Sequence, residues 1–148
     1  SLKYGVGRGR KISDFTYIDN LVDALVSAKE KLSSDPSVGG QAFFITNGEP
    51  MAFWEFVDKV LVALNEKPTQ GRIPFAVAYV AAMISEWVCA LRPGRSNGEN
   101  GLTRFSIRYM CTHHYFSIDK ARKRLGYEPA VGIDEGIART VASFTAQL

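Results

Sequence analysis

Six tyrosines, Tyr4, Tyr17, Tyr79, Tyr109, Tyr115 and Tyr127, are the side chains best suited to exchange a proton with a substrate oxygen, and the residue four positions after each decides whether they are equipped for it. A lysine at that spacing on a helix stands beside the phenol and lowers its pKa by favouring the phenolate. Those positions hold Arg8, Leu21, Met83, His113, Asp119 and Val131, so the sequence contains no Tyr-x-x-x-Lys pair. Arg8 is charged, but in a glycine-rich turn the spacing does not bring it onto the face of Tyr4. No catalytic residue is expected in this chain.

Other chemistries fare no better. Gly5-Val6-Gly7-Arg8-Gly9-Arg10 starts like a dinucleotide loop, yet Arg10 stands where the last glycine of GxGxxG belongs and a strand, not a helix, is expected to follow. A flexible polar turn is the expectation there, and no cofactor-binding residue is assigned. His113 and His114 are adjacent, so they diverge on a strand or a helix and do not chelate one metal readily. Cys89 and Cys111 lie far apart with no CxxC and no ligand set, which suggests neither zinc nor a disulfide framework and fits a reducing compartment. No metal is expected. Ser85, Ser106 and Ser117 lack a nucleophile-elbow context. Asp14, Asp19 and Glu49 flank strands and read more simply as strand-end and helix-cap carboxylates than as acid/base groups.

These residues must be held by elements that the length and composition permit. A chain of 148 residues fits a single domain and, folding alone, would bury roughly 68–70% of its unfolded surface. With 46% hydrophobic and 22% charged residues it is an ordinary globular composition. The net charge of +3 is spread over scattered basic residues, and Lys120, Arg122, Lys123 and Arg124 fit a solvated helix face, so nucleic acid is not an expected partner. Ser1-Leu2-Lys3-Tyr4-Gly5 has neither an apolar signal region nor an initiator methionine and reads as a cut.

Ser13 to Ile18, with Phe15, Thr16, Tyr17 and Ile18, predicts a short strand, after which Asp19 or Asn20 caps a helix carrying Leu21, Val22, Ala24, Leu25 and Ala28. That helix is expected to end before Ser33-Ser34-Asp35-Pro36. Ala42-Phe43-Phe44-Ile45-Thr46 reads as a strand buried on both faces, belonging in a parallel sheet. Asn47-Gly48 would suit a hairpin, but Phe53, Phe56, Val57, Val60, Leu61 and Leu64 keep a helical period, so strand passes into helix.

Ile73 to Leu91 is the most apolar stretch, with proline at its start. Its 19 residues reach the lower end of a membrane-spanning length, but Tyr79, Ser85 and Glu86 interrupt it, so a buried helix or one lying on a membrane surface is expected ahead of a span. A polar loop, Arg92 to Gly101, should be mobile. Beyond it, Thr103 caps a short helix with Ile107 and Met110, Ser117 or Asp119 caps a helix ended by Gly126, and Ile133-Asp134-Glu135 starts a last helix. No repeat or domain boundary is visible.

The ordered set Asp14-Phe15-Thr16-Tyr17-Ile18-Asp19-Asn20, Gly40 to Trp54 with its Thr-Asn-Gly-Glu-Pro and Phe-Trp, Ile73-Pro74, Leu102-Thr103-Arg104, His114-Tyr115-Phe116-Ser117, Lys120 to Pro129 and Glu135 to Thr140 resembles the C-terminal half of the extended short-chain dehydrogenases. Within them it is similar in particular to the sterol-4-carboxylate 3-dehydrogenases (decarboxylating) and their 3β-hydroxysteroid dehydrogenase relatives. The resemblance implies an α/β fold in which this chain is the helix-rich C-terminal substrate lobe, with two or three short strands, of a Rossmann-fold dehydrogenase. It treats residues 1–148 as one region, with the dinucleotide-binding half outside the chain.

In that family the 3-hydroxyl is oxidised to a ketone, and the resulting β-keto acid loses carbon dioxide through an enolate. The resemblance therefore implies NAD or NADP in the intact enzyme and none bound by this chain alone. It implies as partners the missing Rossmann half or another protein chain and a sterol or steroid substrate, with a membrane surface as a further candidate, at an intracellular site for which the endoplasmic reticulum membrane is the candidate. An apolar substrate needs an apolar wall, for which the 73–91 helix, the loop after it and Arg104 are the expected place, with Tyr79, Met83, Trp87 and Arg104 as the expected substrate-binding residues. The alternative is a non-catalytic family member serving as a subunit, scaffold or lipid-binding module.

Overall fold

The computed structural model describes residues 3–91 and 103–146. Its elements are β1 (Tyr4–Val6), β2 (Ile12–Ser13), α1 (Ile18–Ser34), a 3-10 turn (Pro36–Val38), β3 (Met51–Ala52), α2 (Phe53–Ala63), β4 (Gly71–Ile73), α3 (Phe75–Ala90), α4 (Arg104–Met110), α5 (Asp119–Leu125) and α6 (Ile133–Thr145). The helix-rich α/β architecture with short strands is the one the sequence leads to.

Where the sequence shows no internal boundary, the chain packs as two compact units, each assembled from two separated stretches. The first comprises Ser1–Ile12 with Ala52–His113, the second Ser13–Met51 with His114–Leu148. A division of this kind leaves no linker to be read from sequence.

In the first unit, β1 pairs parallel with β4, Tyr4 opposite Gly71 and Val6 opposite Ile73. The expected flexible turn at Gly5–Arg10 is thus partly a strand with a buried Val6, and the turn proper begins at Gly7, whose φ is 74°. Local propensity is weak here because glycines occupy both strands; the pairing is supplied by tertiary contact. Trp54, buried on α2, donates its indole N–H to the Val6 carbonyl at 2.9 Å and joins Val6, Ala78, Ala82 and Ile107 in one apolar cluster.

In the second unit the strand expected within Ser13 to Ile18 is met only at Ser13, where β2 ends and a parallel bridge to His114 forms. Asn20 does not cap α1. The N-cap is Tyr17, without a side-chain cap bond, and Asn20 is fully buried. Its amide donates to Asn47 Oδ1 at 2.9 Å and to the Val131 carbonyl at 2.7 Å, while its oxygen accepts from the N–H groups of Ala130 and Val131. Asp19 instead faces Arg139 at 3.2 Å. The helix also runs two residues further than expected, to Ser34, because Ser33 and Ser34 donate their hydroxyls back to the Lys29 and Lys31 carbonyls; Pro36 then bars continuation.

Ala42–Thr46 is the largest departure. The stretch is extended, but it joins no strand ladder, and among the described residues none of its backbone N–H groups donates to the protein. Its side chains alternate between half-buried Phe43 and Ile45 and exposed Phe44, where continuous burial was expected. Carbonyls of the same stretch are used: Ala42 accepts from Lys120 Nζ, Ile45 from Thr16 Oγ1 and Thr46 from the Tyr127 hydroxyl. A β-branched apolar run has the composition of an inner strand, and without neighbours to supply the ladder it keeps only the extended backbone.

Asn47 then binds the unit together. Its oxygen accepts from the Tyr17 N–H at 2.8 Å and its amide donates to Val131 at 3.1 Å. Gly48 follows with φ 68°, and a Cβ there would lie 2.9 Å from Ile118 Cδ1, so the turn admits only glycine. Gly126 closes α5 in the same left-handed conformation, as its position predicts, and drops Tyr127 into the core.

Candidate functional site

α3 carries the feature from which a site can be built. Apart from Ser85 and Glu86 the helix is apolar around its circumference, a pattern ordinarily found in deeply buried helices. Only Ala78 and Ala82 are buried, against Ile107 of α4. Small side chains let the two helices approach closely and turn the large ones outward. Trp87 and Leu91 are 75% and 76% exposed, and Val77, Val80, Ile84 and Val88 are all on the surface. The expectation of a buried helix is therefore met only along the alanine stripe.

Met83, Ile84, Trp87, Val88 and Leu91 line an open groove of about 330 Å³ with no polar side chain among them. That volume falls at the lower end of small-ligand sites, which are mostly apolar with a few convergent polar groups. The polar groups stand one helical turn away. Tyr79 is four residues before Met83, about 6 Å along the axis, with its ring stacked on Phe75 at 5.5 Å. Arg108 of α4 donates Nη2–H to the Tyr79 hydroxyl at 3.1 Å and lies over its ring, 5.3 Å from the centroid.

Arg104 is differently disposed. Glu86 takes its Nε–H at 2.5 Å and its backbone N–H at 2.7 Å, so the pair is closed at the first turn of α4, where Thr103 also caps by accepting from the Ser106 N–H at 3.1 Å. The Arg104 backbone N–H and then its guanidinium hold the Glu86 carboxyl below its ordinary range, and Glu86 in turn holds Arg104 above its own, with a smaller contribution from Tyr79.

Of the expected substrate-binding residues, Met83 and Trp87 therefore line the groove, Tyr79 stands at its end, and Arg104 is spent on Glu86. Ile84, Val88 and Leu91 complete the groove within the expected 73–91 helix but were not singled out, and Arg108 was not anticipated from sequence. The first three sit in the apolar run without distinguishing features, and Arg108 has only its place one turn after Arg104 to mark it. The expected mobile loop Arg92–Gly101 lies outside the described residues.

The remaining candidates have structural surroundings. His113 Nδ1 accepts from the Ile12 N–H at 3.3 Å, and the His114 carbonyl accepts from the Asp14 N–H at 2.8 Å. Asp14 accepts from the Phe116 N–H, and Glu49 reaches the first turn of α6 at the Ile133 N–H. Cys89 and Cys111 are free thiols, and burial pushes the Cys111 thiol upward. Among the described residues no cluster of His, Cys, Asp and Glu is arranged to hold a metal ion, and no helix is long and apolar enough to cross a membrane.

The sequence pattern of the 3-beta hydroxysteroid dehydrogenase/isomerase family matches residues 1–77, a little over half of the chain. The chain belongs to that family. Among curated relatives, the mouse sterol-4-alpha-carboxylate 3-dehydrogenase, decarboxylating, is 36% identical over 97% of this chain, and the 2-alkyl-3-oxoalkanoate reductase of Stenotrophomonas maltophilia is 40% identical over 95%. The chain spans 40% and 42% of those proteins' lengths.

Solved structures agree on the fold. Gox2253 superposes over 99% of this chain with a TM-score of 0.66 at 20% identity, covering 40% of that chain. The UDP-glucuronic acid 4-epimerase of Bacillus cereus, solved in complex with NAD, superposes over 95% with a TM-score of 0.56 at 16% identity, covering 34% of its length. The chain is thus a helix-rich portion of the Rossmann-type dehydrogenase and epimerase architecture. Two of the segments that carry the family resemblance, Asp14–Asn20 and Gly40–Trp54, meet through Asn20 and Asn47, both of which donate to the Val131 carbonyl.

Proposed function

We propose that this chain is the substrate-side portion of an NAD(P)-dependent dehydrogenase of the 3-beta hydroxysteroid family, that the exposed face of α3 is the wall against which the apolar body of the substrate lies, and that the chain is not catalytic alone. The observation that carries this reading is the groove of Met83, Ile84, Trp87, Val88 and Leu91, apolar and solvent-facing on a helix whose composition belongs in an interior.

The chemistry named by the two relatives narrows the substrate. A sterol-4-carboxylate oxidised at its 3-position and a 2-alkyl-3-oxoalkanoate reduced at its 3-oxo group are both carboxylates with oxygen on the β-carbon and an apolar body. A β-hydroxy or β-oxo carboxylate with a bulky apolar part is the class we assign to this chain, with a sterol as the first candidate. The cofactor is assigned to the remainder of the family architecture: among the described residues no glycine-rich turn joins a strand to a helix in the way a dinucleotide pyrophosphate requires.

The test is direct. The chain alone should bind a 3-hydroxysterol-4-carboxylate and show no turnover of it with NAD or NADP, and Trp87→Ala should weaken binding about tenfold or more, since a fully engaged aromatic contributes a few kcal/mol. Turnover by the chain alone, or unchanged binding in Trp87→Ala, would overturn the reading.

A second reading draws on the extent of the apolar face, which continues past the groove through Val77 and Val80. A bilayer surface, in a cell the endoplasmic reticulum membrane, is then the occupant of α3, with the helix lying in the interface. Flotation with neutral vesicles separates the two: co-migration that survives excess sterol carboxylate favours the bilayer.

A further inference from the structure

We infer that Arg108, not Arg104, is the residue that recognises the substrate's carboxylate and so sets the preference for acids over neutral sterols. This inference rests on the reading of α3 as the substrate wall.

The two arginines stand one turn apart on α4 and differ in what they face. The charge of Arg104 is balanced by Glu86, which takes both its Nε–H and its backbone N–H. Arg108 has no carboxylate within ion-pair distance among the described residues; its one side-chain hydrogen-bond partner is the neutral hydroxyl of Tyr79. A guanidinium has five N–H donors, and one weak neutral acceptor leaves most of them available.

Position is fixed as well as charge. Ile107, next to Arg108 in sequence, is completely buried against the alanine stripe of α3, which anchors the short helix, and the Tyr79 ring under the guanidinium limits where the side chain can go. An arginine held in this way loses less freedom on binding than one extended into solvent.

The surroundings favour an anion with an apolar body. Tyr79 accepts from Arg108 and keeps its own O–H to donate, so a carboxylate arriving there meets both hydroxyl and guanidinium donors. Glu86, the acid that would repel it, is closed on Arg104. From Tyr79 the same helix leads within one turn to Met83 and on to the groove as far as Leu91, about 18 Å along the axis, with no charge among the groove residues. The cation at one end and the apolar wall beside it match a β-oxygenated acid held by its carboxylate.

The experiment compares a 3-hydroxysterol-4-carboxylate with its methyl ester on the full chain, following the emission of exposed Trp87 and checking fold by circular dichroism. The expected result is that the wild-type chain binds the acid about tenfold or more tighter than the ester, the range for a hydrogen-bonded charge. Arg108→Gln should abolish that preference, Arg108→Lys should keep part of it, and the double variant Arg104→Gln/Glu86→Gln, which removes the pair without freeing its carboxylate, should keep it. Equal binding of acid and ester by the wild type, or a preference that survives in Arg108→Gln, overturns the inference while leaving α3 as the wall. Binding of neither sterol overturns the wall itself and this inference with it. Phosphatidylserine vesicles form the last arm: a Trp87 response to vesicles in a chain that binds neither sterol makes the arginine a headgroup contact and overturns the inference.

Discussion

Arg108 places its guanidinium 5.3 Å from the centre of the Tyr79 ring while donating to the hydroxyl of the same residue at 3.1 Å. Tyr79→Phe separates the two contacts, because it keeps the ring and removes the oxygen. A single hydrogen bond contributes roughly 0.5–1.5 kcal/mol, about 2- to 12-fold in affinity. The variant should bind the sterol acid weaker by that factor in a fluorescence titration and keep a preference for the acid over the ester.

The Glu86–Arg104 pair should make the α3–α4 contact acid-sensitive. The folded pKa of Glu86 lies below its ordinary 4.5, so its contribution is fully present above 4.5 and is lost as pH falls through the lower folded value. Amide exchange at the first turn of α4 should therefore rise in acid below pH 4.5, once corrected for intrinsic rates, and Glu86→Gln should already exchange quickly at neutral pH. The group is at the surface, so global stability should respond far less than this local protection.

Asn20 is the most exposing position for the second unit. Asn20→Ala strips one donor from Asn47 Oδ1 and one from the Val131 carbonyl, and leaves the Ala130 and Val131 N–H groups without their acceptor in a buried place. Unsatisfied buried groups cost about 1–3 kcal/mol each. Thermal unfolding should fall by roughly 2–4 °C per kcal/mol for a chain of this size, and Asp19→Ala next to it, which loses only an exposed ion pair, should move it little.

The extended stretch Ala42–Thr46, with Phe44 and Phe116 stacked at 4.3 Å and both about half exposed, should drive self-association. Backbone N–H groups and apolar rings side by side are a template for strand addition. Light scattering should show the wild-type chain growing with concentration and Phe44→Ser/Phe116→Ser remaining smaller; a wild-type chain that stays monomeric at high concentration would contradict this.

What could be read in the sequence and what could not divides along one physical line. Helices α2, α3 and α6 declared themselves through apolar spacing, and Thr103 and Gly126 through the chemistry of helix ends, all of which is local. The pairing of β1 with β4 joins Gly5 to Arg72 across the chain, with no β-branched run on either side to announce it. Asn20 and Asn47 looked like a cap and a turn residue because those are their common local uses; that they face one another in the core depends on Val131, more than eighty residues from either. The apolar face of α3 was legible as a stretch, through its excess of apolar residues. The choice between Arg104 and Arg108 was not, since it turns on Glu86, which reaches across from another helix.

The central claim, that the apolar body of the substrate lies along α3, is tested most directly by photolabelling this chain with a sterol-4-carboxylate carrying a diazirine on its side chain and mapping the adducts by mass spectrometry. Adducts should concentrate on Met83, Trp87 and Leu91 and be competed by unlabelled sterol acid. Adducts confined to residues 13–51 and 114–146, or adducts on α3 that the unlabelled acid does not displace, would contradict it.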